Sequence, residues 1–371
     1  MMQNVYIHQT NIISPLGFST AKNFMELCNG KTALQPTQFT EPIGSIFAGK
    51  IDKDIFQEHF SSLNSAFVGS TIEQYIVAAL LPLIQHKGLS ENTLFILSTT
   101  KGNIKALEQN NIQAAHLFET ANHIKNYFGF SRKPIVVSNA CVSGVMALSI
   151  AKRFIQMNQA KDAYVVAVDE LLPFIISGFQ SFQAMSNQRC KPYDETRNGV
   201  NLGEAAAAVY ISTAKEDNSI EIAGDANIND ANHISGPSRT GEGLVLSIEK
   251  AMQEAKITAS MVDFVSLHGT ATVYNDEMES IALQRTNLLD IPVNSFKGYY
   301  GHTLGASGLL ETVLTVECMK HHVLLPSIGF EKIGVSHPIQ VITEKKSKTI
   351  DVALKTASGF GGSNSVIVLK K

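Results

Sequence analysis

Cysteine is scarce: Cys28, Cys141, Cys190 and Cys318 are the only four in 371 residues, too scattered for a CxxC pair or a metal-ligand spacing. That scatter excludes a disulfide framework and a zinc ribbon and implies free thiols in a reducing compartment. Excess charge of one sign is missing as well. The formal net charge is −3, so no global basic field draws nucleic acid or an anionic membrane. No apolar run is long enough to span a bilayer. The N-terminus, MMQNVYIHQTNIISPLG, has neither a basic leader nor a long apolar core, which argues against a signal peptide. A cytoplasmic protein without nucleic-acid binding, membrane insertion or a bound metal is the expectation.

What is present is apolar mass, 44% of the residues, enough for one large α/β domain or two halves packed together. Spacing predicts strands over 5–13, 93–98, 135–137, 163–168 and 205–211, with helices over 20–28 and 70–84 and one or two more across 104–127. The polar stretch KEDNS at 215–219 reads as a seam dividing 1–214, which holds Cys141, from 215–371, which holds His268 and His302. The second part repeats the logic of the first. Strands are predicted over 220–223, 262–267 and 291–295, helices over 243–255 and 306–321, and a closing hairpin joins 350–358 to 365–369. Such alternation argues for a layered α/β fold, and the recurring unit of strand, polar corner and apolar helix reads as an internal duplication.

The first of those units carries a thiol. Ile135-Val136-Val137 is followed by the small corner Ser138-Asn139-Ala140, then Cys141, then a helical pattern. A cysteine at the start of a helix meets free backbone N–H groups and the positive end of the dipole, which favour thiolate and can hold an oxyanion. His268 and His302 stand at similar corners after β-rich runs. Parallel strands place such corners on one side of a sheet, and a thiol with two imidazoles suits nucleophilic chemistry at a thioester or ester carbonyl. Taken singly, Cys141 equally suits a buried core position and each histidine a structural role. The other histidines, His233 among them, have no comparable setting.

Further motifs surround these corners: Ser143-Gly144; Gly178-Phe179 with Ala184-Met185-Ser186; Pro192-Tyr193-Asp194 with Arg197, Gly199 and Gly203-Glu204; His268-Gly269-Thr270-Ala271-Thr272 with Asp276 and Glu279; Lys297 with Gly301-His302; Gly305-Ala306-Ser307-Gly308 with Glu311; and Gly359-Phe360-Gly361-Gly362-Ser363-Asn364. In this order they resemble the β-ketoacyl-acyl-carrier-protein synthases, the Cys-His-His condensing enzymes of the thiolase superfamily. The resemblance covers nearly the whole chain. It implies a thiolase-like layered αβαβα fold built from two duplicated halves, and a decarboxylative condensation of an acyl thioester with malonyl-carrier protein in fatty-acid or polyketide-type biosynthesis. Cys141 would be the acyl-accepting nucleophile. His268 and His302 would bind the malonyl thioester carbonyl, and the backbone N–H groups of Cys141 and Phe360 would form an oxyanion hole. Lys297, paired with Glu311, would hold His302. Thr270 and Thr272 would bind the phosphopantetheine arm, with Phe179 and Phe360 as gates, while Asp276 and Glu279 would be structural near the site. The resemblance implies no cofactor beyond that arm; its partners would be an acyl carrier protein and a second subunit, identical or ketosynthase-like.

Some positions depart from the family pattern. The segment 99–121 is short and lacks the usual Pro-rich loop, and Gly203-Glu204-Ala205-Ala206-Ala207 stands where Gly-Glu-Gly-Ala-Gly is usual. Acyl length and partner surface therefore do not carry over. Two other readings remain at this level: a non-elongating acyltransferase of the superfamily, and an inactive subunit that shapes the pocket of a heterodimer.

Overall fold

The computed structural model describes residues 3–63, 66–231 and 236–371; His233 lies outside them. Among these described residues, eleven strands form one mixed sheet. The first half contributes β1 (Tyr6–Ile13), β2 (Thr93–Ser98), β3 (Ile135–Val137), β4 (Asp162–Asp169) and β5 (Ala205–Ser212). The second contributes β6 (Ile220–Asn229), β7 (Phe264–Ser266), β8 (Pro292–Asn294), β9 (Gln340–Val341), β10 (Val352–Gly359) and β11 (Ser363–Lys370). The order across the sheet is β9-β8-β7-β10-β11-β6-β1-β5-β4-β2-β3.

Read outward from the β1–β6 junction, and with the extra edge strand β9 of the second half left out of the count, the halves carry the same order: first strand, fifth, fourth, second, third. Directions repeat too. The first–fifth and fifth–fourth pairs are antiparallel, and the fourth–second and second–third pairs are parallel. The duplication expected from motif echoes is thus a repeat of topology.

The helices that position the site are α1 (Thr71–Lys87), α2 (Ser143–Gln156), α3 (Glu242–Ala255), α4 (Val273–Arg285) and α5 (Ser307–His321). Side chains of a strand alternate between faces, and the core follows that alternation. On β5, Ala205, Ala207 and Val209 pack into the cluster of α2 and α5, while Ala206, Ala208 and Tyr210 face α1. In the second half, Ala353 and Ile367 join the α2/α5 cluster, while Leu354 and Val368 face α3 and α4. The two halves of the sheet therefore sandwich α2 and α5, with other helices outside, the αβαβα layering.

The middle layer depends on two glycines. Both α2 and α5 begin Ser-Gly, and they meet there. A Cβ on Gly144 would lie 2.5 Å from the backbone N of Leu309, and one on Gly308 would lie 2.9 Å from the backbone N of Val145. Only residues without side chains let the two helix starts approach so closely.

Two regions differ from their sequence patterns. Residues 104–128 form three short pieces, Ile104–Gln109, Ile112–Ala115 and Leu117–Phe128. Asn110 adopts the left-handed region (φ 55°) and Asn111 caps the next turn through Ala114 N, so the chain breaks where periodicity alone runs on. Strand β6 extends to Asn229, because its polar residues find partners: Ser365 Oγ donates to Asn227 Oδ1 (2.6 Å) and Ser363 Oγ to Asn229 Oδ1 (2.8 Å). Among the described residues no helix is long and apolar enough to cross a membrane.

Replacing Gly144 by Val puts side-chain atoms into a backbone that cannot retreat. The expected outcome is a loss of about 1–3 kcal/mol of stability, read by denaturant unfolding; an unchanged midpoint would contradict the close crossing.

Candidate active site

The corner between β3 and α2 is tight. Ala140 takes a left-handed φ of 44°, a strained conformation for a residue with a Cβ. Ser143 locks it: its hydroxyl accepts from Asn139 N (2.7 Å) and donates to Ala140 O (2.6 Å). Cys141 projects from this elbow and is buried. The counterpart corner after β8 carries His302, whose N–H donates to Asn201 O (2.7 Å) and whose C=O accepts from Gly203 N (3.0 Å). Because α2 and α5 start against each other, thiol and imidazole meet. His302 Nε2 lies 2.9 Å from Cys141 Sγ.

His268 arrives from the end of β7. Glu279 on α4 fixes its backbone, accepting from His268 N (2.8 Å) and Gly269 N (2.7 Å), and also accepts from Tyr193 Oη (2.8 Å). The two imidazoles pack edge to face, centroids 5.2 Å apart. The Cys141 sulfur and a ring nitrogen of each histidine all lie within 4.8 Å of one another. Three such donors could in principle hold a metal ion, but the Lys297 ammonium beside them opposes a cation.

Lys297 Nζ lies 3.3 Å from His268 Nδ1 and 2.8 Å from Glu311 Oε1, and also donates to His268 O. An ammonium can only donate, so His268 Nδ1 accepts and its proton sits on Nε2. The sequence reading set this lysine behind His302; the structure sets it against His268, while Glu311 belongs to the helix that follows His302. His302 Nδ1 has no hydrogen-bond partner among the described residues. One ring is therefore a fixed donor, and the other can carry its proton on either nitrogen.

Electrostatics sharpens the contrast. Burial, reinforced by Lys297, holds both imidazoles well below their usual value, so they are neutral. Burial also pushes the Cys141 thiol up to about 11 despite the pull of Lys297 and Lys101. Burial thus opposes the thiolate expected from the helix start and favours the neutral thiol. Burial alone would raise Glu311, but Lys297 and Lys355 hold its carboxyl at about 2. Asp276, with Tyr193 N donating to it (2.7 Å), is raised to about 7 by burial.

The thiol and both histidines form the floor of a cavity of about 380 Å³. Thr270 and Thr272 line its wall, their hydroxyls 2.7 Å apart. Around Phe360, 40% exposed, Phe179 and Phe182 pack at centroid distances of 5.9 and 5.7 Å. The Phe360 backbone N–H points at the Cys141 sulfur. Asp276 and Glu279 lie behind the wall, fully buried. Sequence reasoning missed Lys355, Lys101, Thr356 and Phe182. A lone lysine inside the apolar run Val352-Ala353-Leu354-Lys355 was the available signal for the first.

Residues 57–217 match the family model described as β-ketoacyl synthase, N-terminal domain, and residues 220–331 match the C-terminal domain of the same family. The chain is 25% identical to 3-oxoacyl-[acyl-carrier-protein] synthase 2 of Vibrio cholerae over 100% of its own length and 99% of that protein's. It is 31% identical to the enzyme of the same description from Coxiella burnetii over 64% of this chain and 61% of that one. The fold matches that of the ketosynthase ApeO, solved with its chain length factor ApeC from Xenorhabdus doucetiae, with a TM-score of 0.88, 24% identity, and coverage of 99% and 98%.

Among the described residues, Glu311 is the carboxylate paired with both Lys297 and Lys355. Substituting Gln should cost about 3–5 kcal/mol of stability, measured by chemical denaturation. Because its folded value of about 2 lies below the ordinary 4.5, the carboxylate's contribution is full above pH 4.5 and is lost as pH falls towards 2; the variant's acid-unfolding curve should be correspondingly flatter there.

Proposed function

Since the chain belongs to the β-ketoacyl synthase family, we propose that Cys141, His268 and His302 carry out its condensation on thioesters delivered by an acyl carrier protein. The observation that carries this reading is the meeting of one sulfur and two neutral imidazoles at the floor of one cavity.

In the first half-reaction the Cys141 thiol attacks the acyl thioester carbonyl. Its proton passes to His302 Nε2, 2.9 Å away, and on to the departing carrier sulfur. The N–H groups of Cys141 and Phe360 hold the oxyanion. In the second, the malonyl thioester carbonyl accepts hydrogen bonds from His268 and His302. The bond to the malonyl carboxylate breaks, carbon dioxide leaves, and the electron pair becomes an enolate. The enolate carbon attacks the acyl-cysteine carbonyl, a carbon–carbon bond forms, and the cysteine sulfur is expelled and reprotonated through His302, the proton consumed coming from water. Neutral N–H donors in a buried site stabilise the enolate without a metal. Thr270 and Thr272 offer hydroxyls to the polar phosphopantetheine arm, and Phe179 with Phe360 screens the thiol from solvent.

A second subunit fits the short segment 104–128, which leaves Leu107, Ile112 and Phe118 exposed. We assign that face to a dimer contact, with an identical chain or a ketosynthase-like partner. The free thiols agree with a reducing cytoplasm.

Incubation with acyl-carrier protein should acylate Cys141 alone among the four thiols, as read by peptide mass spectrometry; an adduct elsewhere would sink the assignment. His268→Ala should cut carbon dioxide release from malonyl-carrier protein by about 10²–10³-fold while Cys141 still accepts acyl groups. Size measurement should give a dimer, and a stable active monomer would refute the assigned contact.

A further inference from the structure

Lys355 lies in the middle of β10, where its neighbours Val352, Ala353, Leu354 and Ala357 are buried and apolar. Its side chain has no solvent exposure. A buried ammonium is expensive unless its donors are used, and here every direction is taken up. Nζ forms an ion pair with Glu311 Oε2 and donates to Leu267 O at 3.1 Å, with Ser266 O at 3.4 Å. The next residue, Thr356, points to the opposite face, and its hydroxyl accepts from His268 N at 3.1 Å while donating to Glu279 Oε1 at 3.1 Å.

Leu267 O and His268 N are the two polar atoms of a single peptide unit. Consecutive side chains of one strand therefore clamp that unit from both faces, immediately before the imidazole. Lys355 acts a second time through Glu311. With each carboxylate oxygen facing its own ammonium, Lys297 is left free to keep its contact with His268 Nδ1.

We propose that Lys355 is a positioning residue for decarboxylation, holding the Leu267–His268 peptide and the Lys297–Glu311 pair so that His268 presents its Nε2 proton to the forming enolate. The inference rests on the condensation reading above. Removing the charge would let Glu311 draw Lys297 away from the ring and would loosen the peptide on one side. Acyl transfer to Cys141, which uses the oxyanion N–H groups and His302, should suffer less.

The charged and titratable groups facing Lys355 are Glu311 from α5, Lys297 from the short helix Lys297–Tyr300, His268 from its corner and Glu279 from α4. Burial, partly offset by Glu311, lowers the Lys355 ammonium to about 8. Its proton is therefore present below pH 8 and is lost above it, with the assistance to His268.

The test compares the wild-type chain with Lys355→Met, close in volume and uncharged. Two readouts are followed against pH: carbon dioxide release from malonyl-carrier protein and acylation of Cys141 by intact mass. In the wild type, carbon dioxide release should fall on an alkaline limb centred near pH 8. In Lys355→Met, kcat for release should drop about tenfold with KM for the malonyl carrier little changed, acylation should fall less, and that limb should vanish. A variant that matches wild type in kcat and keeps the limb overturns the proposal. Should Lys355→Met fail to fold, Lys355→Gln, uncharged but polar, decides: a lower kcat for release with acylation of Cys141 retained upholds the proposal, and a wild-type kcat overturns it. A wild type that releases no carbon dioxide would instead refute the condensation reading.

Discussion

Two helix starts pressed together without side chains between them set the geometry of everything else. Gly144 and Gly308 bring the first turns of α2 and α5 into backbone contact, and the residues just upstream of each are Cys141 and His302. Their 2.9 Å approach is thus a property of the helix crossing as much as of either side chain. The strained Ala140 corner and its Ser143 lock belong to the same constraint. They aim the thiol into the cavity at a local cost of about 1–3 kcal/mol, which the packing of the middle layer over-determines.

The second constraint is electrical. Burial makes the thiol and both imidazoles neutral, so reactivity rests on proton placement. His268 has its tautomer set by Lys297, whereas His302 is held by backbone contacts and its Nδ1 is unpaired among the described residues. A fixed donor beside a ring able to give or take a proton is what acyl transfer followed by enolate stabilisation requires. Glu311 connects this division of labour to the fold, since it lies on the same helix whose start positions His302.

Much of the architecture was legible in the chain. Helix 20–28, strand 93–98 and the closing hairpin stand where periodicity and turn chemistry put them, because each has strong local signals. The break at Asn110-Asn111 was not, since a left-handed residue leaves no trace in apolar spacing. Nor was the length of β6, whose Asp225, Asn227 and Asn229 look like a loop until partners on other elements are known. The gathering of Cys141, His268 and His302 followed from where parallel strands end. Which histidine Lys297 serves did not, because its reach depends on a side-chain direction. Lys355 stayed hidden for the same reason: a lysine in a strand reads as an edge or surface residue until Glu311 is seen across from it.

The repeat of strand order has a further consequence. Two copies of one topology bring four corresponding corners to the same side of the sheet, one after the second and one after the third strand of each copy. Cys141 and His302 occupy the matched pair after the third strands, and His268 follows the second strand of the later copy. Its counterpart in the earlier copy is Thr99-Thr100-Lys101, where Lys101 pairs with the buried Asp169 and exerts its charge on both Cys141 and His302. The repeated topology thus carries an uneven quartet: a nucleophile, two imidazoles and, at the remaining vertex, a tethered cation.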